Sequence, residues 1–354
     1  MYLRFRVYGL STMKLKIYAS ADIEPYVKRR KGEKKYGQYV QCAEEISGDF
    51  SEQLRQSDAE YVLLGIPEDI GVQANLGKKG AASAWDAALP ALFNTQHNPF
   101  NKGDELYVLG HLDLEEERSM SGKLDLSLKD DLEKAGKLVE NIDKEVSHII
   151  HKIVALGKKP IVIGGGHNNA YGIMKGCALA LNTPVHVVNF DAHSDFRKRK
   201  RRHSGNAFSC AFHEGFLQKY YIFGLHENYT SKSIFKKLKK YETYIQYATF
   251  EEMAIQKKKS FSHYLHQALA YVNKGPFGIE LDCDAIARMP SSARTPSGFS
   301  VTKARRFVST MGNHLHARYL HICEAAPDPA DETEMQQTGK LIAYLITDFI
   351  KKPA

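Results

Sequence analysis

Six residues spread over more than a hundred positions carry the most specific chemistry in this sequence. The stretch NFDAHSDFRKRKRRHSGN, from Asn189, sets Asp191, His193 and Asp195 at alternate positions and follows them with six consecutive basic residues, 197–202. LDCDAI repeats the alternation with Asp282 and Asp284, and GGGHNN offers His167, which completes the six; ICEAAP adds Glu324 beside them. Residues two apart share a side of an extended chain, so each alternating motif can aim its ligands at one point. Four carboxylates and two imidazoles make a hard, oxygen-rich set that suits Mn²⁺ and similar ions better than thiophilic ones. Charge balance indicates two ions, because four carboxylates around one divalent ion leave about two buried negative charges unmatched. A pair of ions ~3.5–4 Å apart would acidify a water between them, which is the chemistry of hydrolysis.

These residues can meet only if the chain places them at a common edge. Six short apolar runs are present, EYVLLGI ending at Ile66, PIVIG ending near Gly164, PVHVVNF ending at Phe190, KYYIFGL ending at Leu225, FGIEL ending at Leu281 and RYLHIC ending at Cys323, and each of these residues follows one of four of them, PIVIG, PVHVVNF, FGIEL or RYLHIC. Several are apolar at successive positions, as strands buried on both faces must be. Helical patterns intervene. From Leu132, apolar residues recur through Ala135, Leu138, Val139, Ile142, Val146, Ile149, Ile150 and Ile153, the period of one buried helix face, stopping at Gly157. Asp331 is the expected N-cap of a last helix whose buried stripe is Leu341, Ile342, Leu345, Ile346, Phe349 and Ile350. This alternation predicts a parallel sheet wrapped by helices in one α/β domain. In open sheets of this kind ligands bind at the carboxyl ends of strands, where His167, Asp191, His193, Asp195, Asp282, Asp284 and Glu324 all fall. Cys283, between the two aspartates, points the other way and is expected in the core.

Composition excludes several alternatives. Among 354 residues, 49 Lys and Arg against 41 Asp and Glu leave a net charge of +8. Its basic runs come without any helix-turn-helix, zinc-finger or aromatic single-strand motif, so nucleic acid is not an expected partner. No apolar run approaches the ~20 residues that span a bilayer, so no membrane association is expected. Cys42, Cys177, Cys210, Cys283 and Cys323 are odd in number and lack CxxC spacing, which argues against a disulfide framework or thiolate zinc site and for a reducing cytoplasm. Met13 opens MKLKIYAS like a second start, so residues 1–13 are read as an N-terminal extension and 14–354 as the domain.

The motifs resemble those of the ureohydrolase family of arginases, agmatinases and formimidoylglutamases. DAHSD is similar to the family's DAHxD, LDCDAI to its DxD segment and GGGHN to its GGDHS, and the likeness runs from about Ile66 to the C-terminus. It implies a three-layer αβα fold with a mostly parallel central sheet, and two Mn²⁺ per chain, other divalent ions being compatible. By that resemblance His167, Asp191, Asp195 and Asp282 hold one ion, Asp191, His193, Asp282 and Asp284 hold the other, and Glu324 grips the amidine-type group of the substrate. Gly166 departs from the family's usual Asp, which leaves the support of the neighbouring His167 to be found elsewhere. Phe208 stands where arginases carry a proton-shuttling His, which disfavours arginase activity.

HSGNAFS is instead similar to the HSGTPF-like pattern of agmatinases and formimidoylglutamases, with His203 as candidate acid and Ser204 to Asn206 lining the pocket. His226, in GLHENY, is a second candidate proton donor. Cations beside the catalytic loop would attract the two carboxylates of formimidoylglutamate and repel the amine of agmatine; Arg197, Arg202 and Arg294 are the expected carboxylate holders. The implied reaction is N-formimidoyl-L-glutamate plus water giving L-glutamate and formamide, a step of histidine degradation, by attack of a bridging hydroxide on a small-molecule substrate. Rival readings are hydrolysis of a guanidino acid such as guanidinobutyrate, an agmatinase-like activity, and a catalytically silent relative that binds an acidic partner. Family members are often multimeric, so a homo-oligomer is compatible with the sequence.

Overall fold

The computed structural model describes residues 14–44 and 49–351; the segment 1–13, read as an extension, lies outside them. The described strands are β1 (Leu15–Ile17), β2 (Tyr61–Gly65), β3 (Leu106–Leu112), β4 (Lys159–Ile163), β5 (Val185–Phe190), β6 (Leu217–Leu225), β7 (Ile245–Thr249), β8 (Phe277–Asp282) and β9 (Ala317–Cys323). They form one sheet in the order β1-β3-β2-β4-β9-β8-β5-β6-β7. Only β1 pairs antiparallel, with β3; every other pairing is parallel. From β4 the chain crosses to β5, leaving a gap that β8 and β9 later fill. The four strands whose ends carry the acidic and imidazole residues therefore become consecutive neighbours, β4-β9-β8-β5.

All six strands expected from apolar runs are present, and three more join them. β7 escapes a sequence reading because it is an edge strand with half-exposed Gln246 and exposed Tyr247, and β1 because it is only three residues long. β3 is buried, but Gly110 breaks its pattern at a register shift opposite Leu63 and Leu64. Gly110 has φ +123°, and a Cβ there would lie 2.0 Å from the carbonyl oxygen of Lys16 on β1, so the edge strand can approach only a glycine.

The strands alternate between two cores, which makes the architecture three-layered. Tyr61, Leu63, Ile161, Ile163, Val188 and Phe190 face one side, packed with residues of helices Ala84–Phe93, Phe261–Val272, Val301–Gly312 and Glu332–Ile350. Val62, Leu64, Val162, Val185 and Val187 face the other, under helices Lys129–Ala155 and Asn169–Leu181. The helix read from Leu132 begins at Lys129, with Asp130 and Asp131 in its first turn, where acidic groups meet the positive end of the helix dipole. It stops as expected: Gly157 takes φ +77° and its N–H returns to the Val154 carbonyl at 2.9 Å, a glycine C-terminal closure. Asp331 caps Glu332–Ile350 by accepting the N–H groups of Thr333 and Glu334 at 2.9 and 3.1 Å.

Candidate metal centre

The carboxyl ends of β4, β9, β8 and β5 bring all six expected ligands together. Beyond β4, Gly164 and Gly165 turn the chain with φ +89° and +74°, conformations open to glycine at little cost, and set His167 facing the end of β5. Its Nδ1 lies 3.3 Å from Asp191 Oδ2, 3.1 Å from Asp195 Oδ2 and 3.1 Å from Asp282 Oδ2. His193 Nδ1 lies 3.5 Å from Asp191 Oδ1 and 3.7 Å from Asp284 Oδ2. Two ligand clusters result, His167 with Asp191, Asp195 and Asp282, and His193 with Asp282 and Asp284; Asp282 belongs to both. Backbone donors orient the aspartates: Asp191 accepts the His193 N–H at 2.6 Å, Asp282 the Asp284 N–H at 2.7 Å, and Asp284 the Ala293 N–H at 2.9 Å.

The electrostatics fit a pair of cations. Asp191, Asp282, Asp284 and Glu324 are all buried. Burial first, then repulsion from Asp284, pushes Asp282 well above the carboxylate range and Glu324 up to about 8. Such a cluster is short of positive charge, and divalent ions are the compact way to supply it. Strain concentrates here as well. Of the six described non-glycine residues with positive φ, Leu76, Asp195 and Glu324 line the same cavity. Each such conformation costs about 1–3 kcal/mol and persists only where the surroundings enforce it.

That cavity, of about 720 Å³, has a largely buried acidic end and a largely exposed basic rim. His193, Asp195, Asp282, Asp284 and Glu324 form the first; Arg197, Lys198, Lys200 and Arg201 stand on the second. Asn75 joins the wall to the loop by accepting from Arg197 Nη1 at 3.1 Å and donating to Ser204 Oγ at 3.2 Å. Tyr229, also on the wall, stacks on His193 with centroids 5.5 Å apart and on His226 at 5.1 Å.

The support missing at Gly166 comes from Glu68, which follows β2. Its buried carboxylate accepts the N–H groups of Ile70 and Gly166, at 2.7 and 3.3 Å, and the side-chain amides of Asn168 and Asn169, at 3.1 and 2.6 Å. A Cβ on Gly166 would stand 2.6 Å from Asn168 Oδ1 and 2.7 Å from Val72 Cγ2, so this packing has no room for the family's aspartate. Glu68 could have been found by the same rule as the ligands, since it too lies just past a strand's carboxyl end.

The structure brings some of the expected substrate contacts to the cavity and places others away from it. Arg197 and Ser204 line the cavity, but Arg202 points inward: its Nε and Nη2 pair with Asp143 at 2.7 and 3.2 Å, Nη2 also reaches the Asn168 carbonyl at 3.0 Å, and Nη1 binds Asn206 Oδ1. A guanidinium so committed has no donor left for a substrate in the cavity. Asn206, fully buried, folds the basic loop by donating to the carbonyls of Lys198 and Arg201 and is absent from the cavity wall. Arg294 is held outside by Glu334 at 2.7 Å. His226 sits behind Tyr229, stacked on Phe250 at 4.5 Å, and does not reach the cavity. His203 does line it. Burial, together with Arg202, Arg201 and Arg197, lowers its pKa to about 3, so at neutral pH it is an uncharged imidazole rather than a ready acid. Cys283 is buried in the core, as expected.

A sequence model of the arginase family matches residues 59–351. The chain belongs to the arginase family. Within that family it is similar to a formimidoylglutamase of Streptococcus pyogenes serotype M3, 25% identical over 242 residues, an alignment covering 65% of this chain and 66%, just under two thirds, of that protein. Its fold is shared with the crystal structure of formimidoylglutamase from Bacillus subtilis, at TM-score 0.71 and 17% identity over 95% of this chain and 100% of that one. The crystal structure of Trypanosoma cruzi formiminoglutamase with Mn²⁺ superposes at TM-score 0.67 and 18% identity, over 91% of this chain and 100% of that one.

Proposed function

We propose that this arginase-family chain is a hydrolase of linear amidines that converts N-formimidoyl-L-glutamate and water to L-glutamate and formamide on a two-manganese centre. The observation that carries the proposal is the polarity of one cavity, with the ligand clusters at its buried end and Arg197, Lys198, Lys200 and Arg201 at its rim. A substrate with an amidine at one end and two carboxylates at the other matches both. The similarity to proteins named formimidoylglutamase supports the same choice. His167, Asp191, Asp195 and Asp282 would hold one ion, and Asp191, His193, Asp282 and Asp284 the other. When bound, the ions supply an acidified water and Lewis acidity near neutral pH.

The protein's own groups then orient and protect the reacting carbon. Glu324 Oε1 is taken by the His167 N–H at 2.6 Å, while Oε2 is buried without a hydrogen-bond partner; it accepts an amidine N–H and turns the formimidoyl carbon toward the ligand clusters. Rim cations hold the glutamate carboxylates, with the guanidinium of Arg197 braced by Asn75. Cleavage breaks the bond between the formimidoyl carbon and the glutamate nitrogen, and that nitrogen leaves with a proton. His203, neutral and with an unpartnered Nδ1, offers a hydrogen-bond acceptor on the same wall. The five cysteines are free thiols, which suits the reducing cytoplasm proposed as its location.

A panel of N-formimidoylglutamate, guanidinobutyrate, agmatine and arginine, assayed with the Mn²⁺-loaded protein, tests this reading. Formimidoylglutamate should give the highest kcat/KM; faster turnover of agmatine or arginine would overturn the assignment. Arg197→Ala should lower kcat/KM for formimidoylglutamate about tenfold, the worth of one charge-assisted contact at an exposed rim, mainly through KM. Agmatine turnover should not fall.

A further inference from the structure

Glu280 is an ionisable residue inside β8, on a strand buried along its whole length, and none of the ligand roles uses it. A carboxylate wholly removed from water is costly unless partners compensate it. Its partners are unusually complete. In the parallel pairing of β8 with β9, Glu280 lies opposite His321; His321 Nδ1 donates to Oε2 at 2.6 Å and the Tyr319 hydroxyl donates to Oε1 at 2.7 Å. Facing this braced carboxylate is the outer nitrogen of His167. Its Nε2 is buried with no hydrogen-bond partner and lies 3.5 Å from Glu280 Oε2, while Nδ1 faces Asp191, Asp195 and Asp282.

We propose that Glu280, held by His321 and Tyr319, is a positioning residue of the metal centre: it receives the Nε2–H of His167 and so fixes the tautomer whose Nδ1 lone pair faces the ligand cluster. A metal-bound imidazole commonly donates its second N–H to a carboxylate, which orients the ring and raises its basicity. The side chains of His167, Glu280, His321 and Cys323 also lie close enough to suggest an ion site of their own. Cys323 argues against that use, because its thiol is engaged in donating to the Leu281 carbonyl at 3.7 Å. A third ion would also require His167 to bind metal through both nitrogens.

The inference rests on the two-ion reading, and the experiment separates the two. The full chain, stripped of metal, is titrated with Mn²⁺ by calorimetry and by electron paramagnetic resonance of the free ion, as wild type and as Glu280→Gln. Wild type should bind two ions. Glu280→Gln should weaken one of the two by about 10- to 100-fold and leave the other within about twofold, with an unchanged Tm for the metal-free protein. Two ions in wild type with unaltered affinities in the variant would overturn the inference alone, as would equal weakening at both sites accompanied by a lower metal-free Tm. Fewer than two ions in wild type would overturn the underlying reading, and a third ion lost in Glu280→Gln would convert the tetrad into a metal site and also overturn the inference. Should the variant fail to fold, Tyr319→Phe removes one brace from Glu280 without changing charge; it should weaken the same single site a few-fold, and unaltered affinity there would overturn the proposal.

Discussion

Asp284→Asn should reduce turnover of N-formimidoylglutamate by about a thousandfold or more, equivalent to about 4 kcal/mol of transition-state stabilisation, and should lower bound manganese from two ions per chain toward one. Asparagine keeps the shape and an acceptor for the Ala293 N–H, so the change removes charge rather than packing. The metal-free protein should respond in the opposite sense. After burial, Asp284 is the charge that pushes up both Asp282 and Glu324 most strongly, so its neutralisation relieves repulsion and the metal-free Tm should not fall. The stabilisation gained on adding Mn²⁺, which follows binding affinity, should shrink. A merely structural aspartate would show the reverse, a lower metal-free Tm with manganese content intact. Metal analysis, steady-state kinetics and thermal melts with and without Mn²⁺ read the three quantities.

Arg202→Ala should destabilise the fold by about 3–5 kcal/mol, the usual consequence of removing one member of a buried ion pair. The loss falls on several partners together. Asp143 keeps a buried charge without its guanidinium, Asn206 Oδ1 loses its strongest donor, and the Asn168 carbonyl, one residue from His167, is left with the Tyr171 N–H as its one donor. Because Arg202 ties the basic loop to the turn carrying His167, the variant should also bind Mn²⁺ more weakly. A paired apolar replacement separates charge from packing: Asp143→Leu with Arg202→Met leaves no orphaned charge and should recover most of the loss. Urea unfolding of the two variants checks this, and a cost below about 1 kcal/mol for Arg202→Ala would show that the pair does not anchor the loop.

The centre was legible in the sequence to the extent that strand ends govern it. Apolar runs mark β4, β5, β8 and β9, and a polar residue immediately past such a run has few places to go except the sheet's carboxyl edge. All six proposed ligands and Glu324 are found that way. The sequence does not show that β4, β9, β8 and β5 are neighbours, because strand order depends on crossovers that leave no local mark. Loop residues were harder for a related reason. Six adjacent basic residues have no periodicity to tell inward from outward, and Arg202 turns in because Asp143, on the helix Lys129–Ala155, lies there to receive it. Arg294 is drawn off by Glu334 in the same way. Glu280 and His321 did leave a signal, since each interrupts an otherwise apolar buried strand; read alone, neither reveals that the other stands opposite it.

The proposed activity requires two cations held between the ends of β4, β9, β8 and β5, and anomalous X-ray scattering at the manganese edge from crystals of the Mn²⁺-loaded protein tests this most directly. Two peaks about 3.5–4 Å apart are predicted, one beside His167 Nδ1 and one beside His193 Nδ1, with Asp191 and Asp282 reaching both. A single peak, or two peaks away from these side chains, would contradict it.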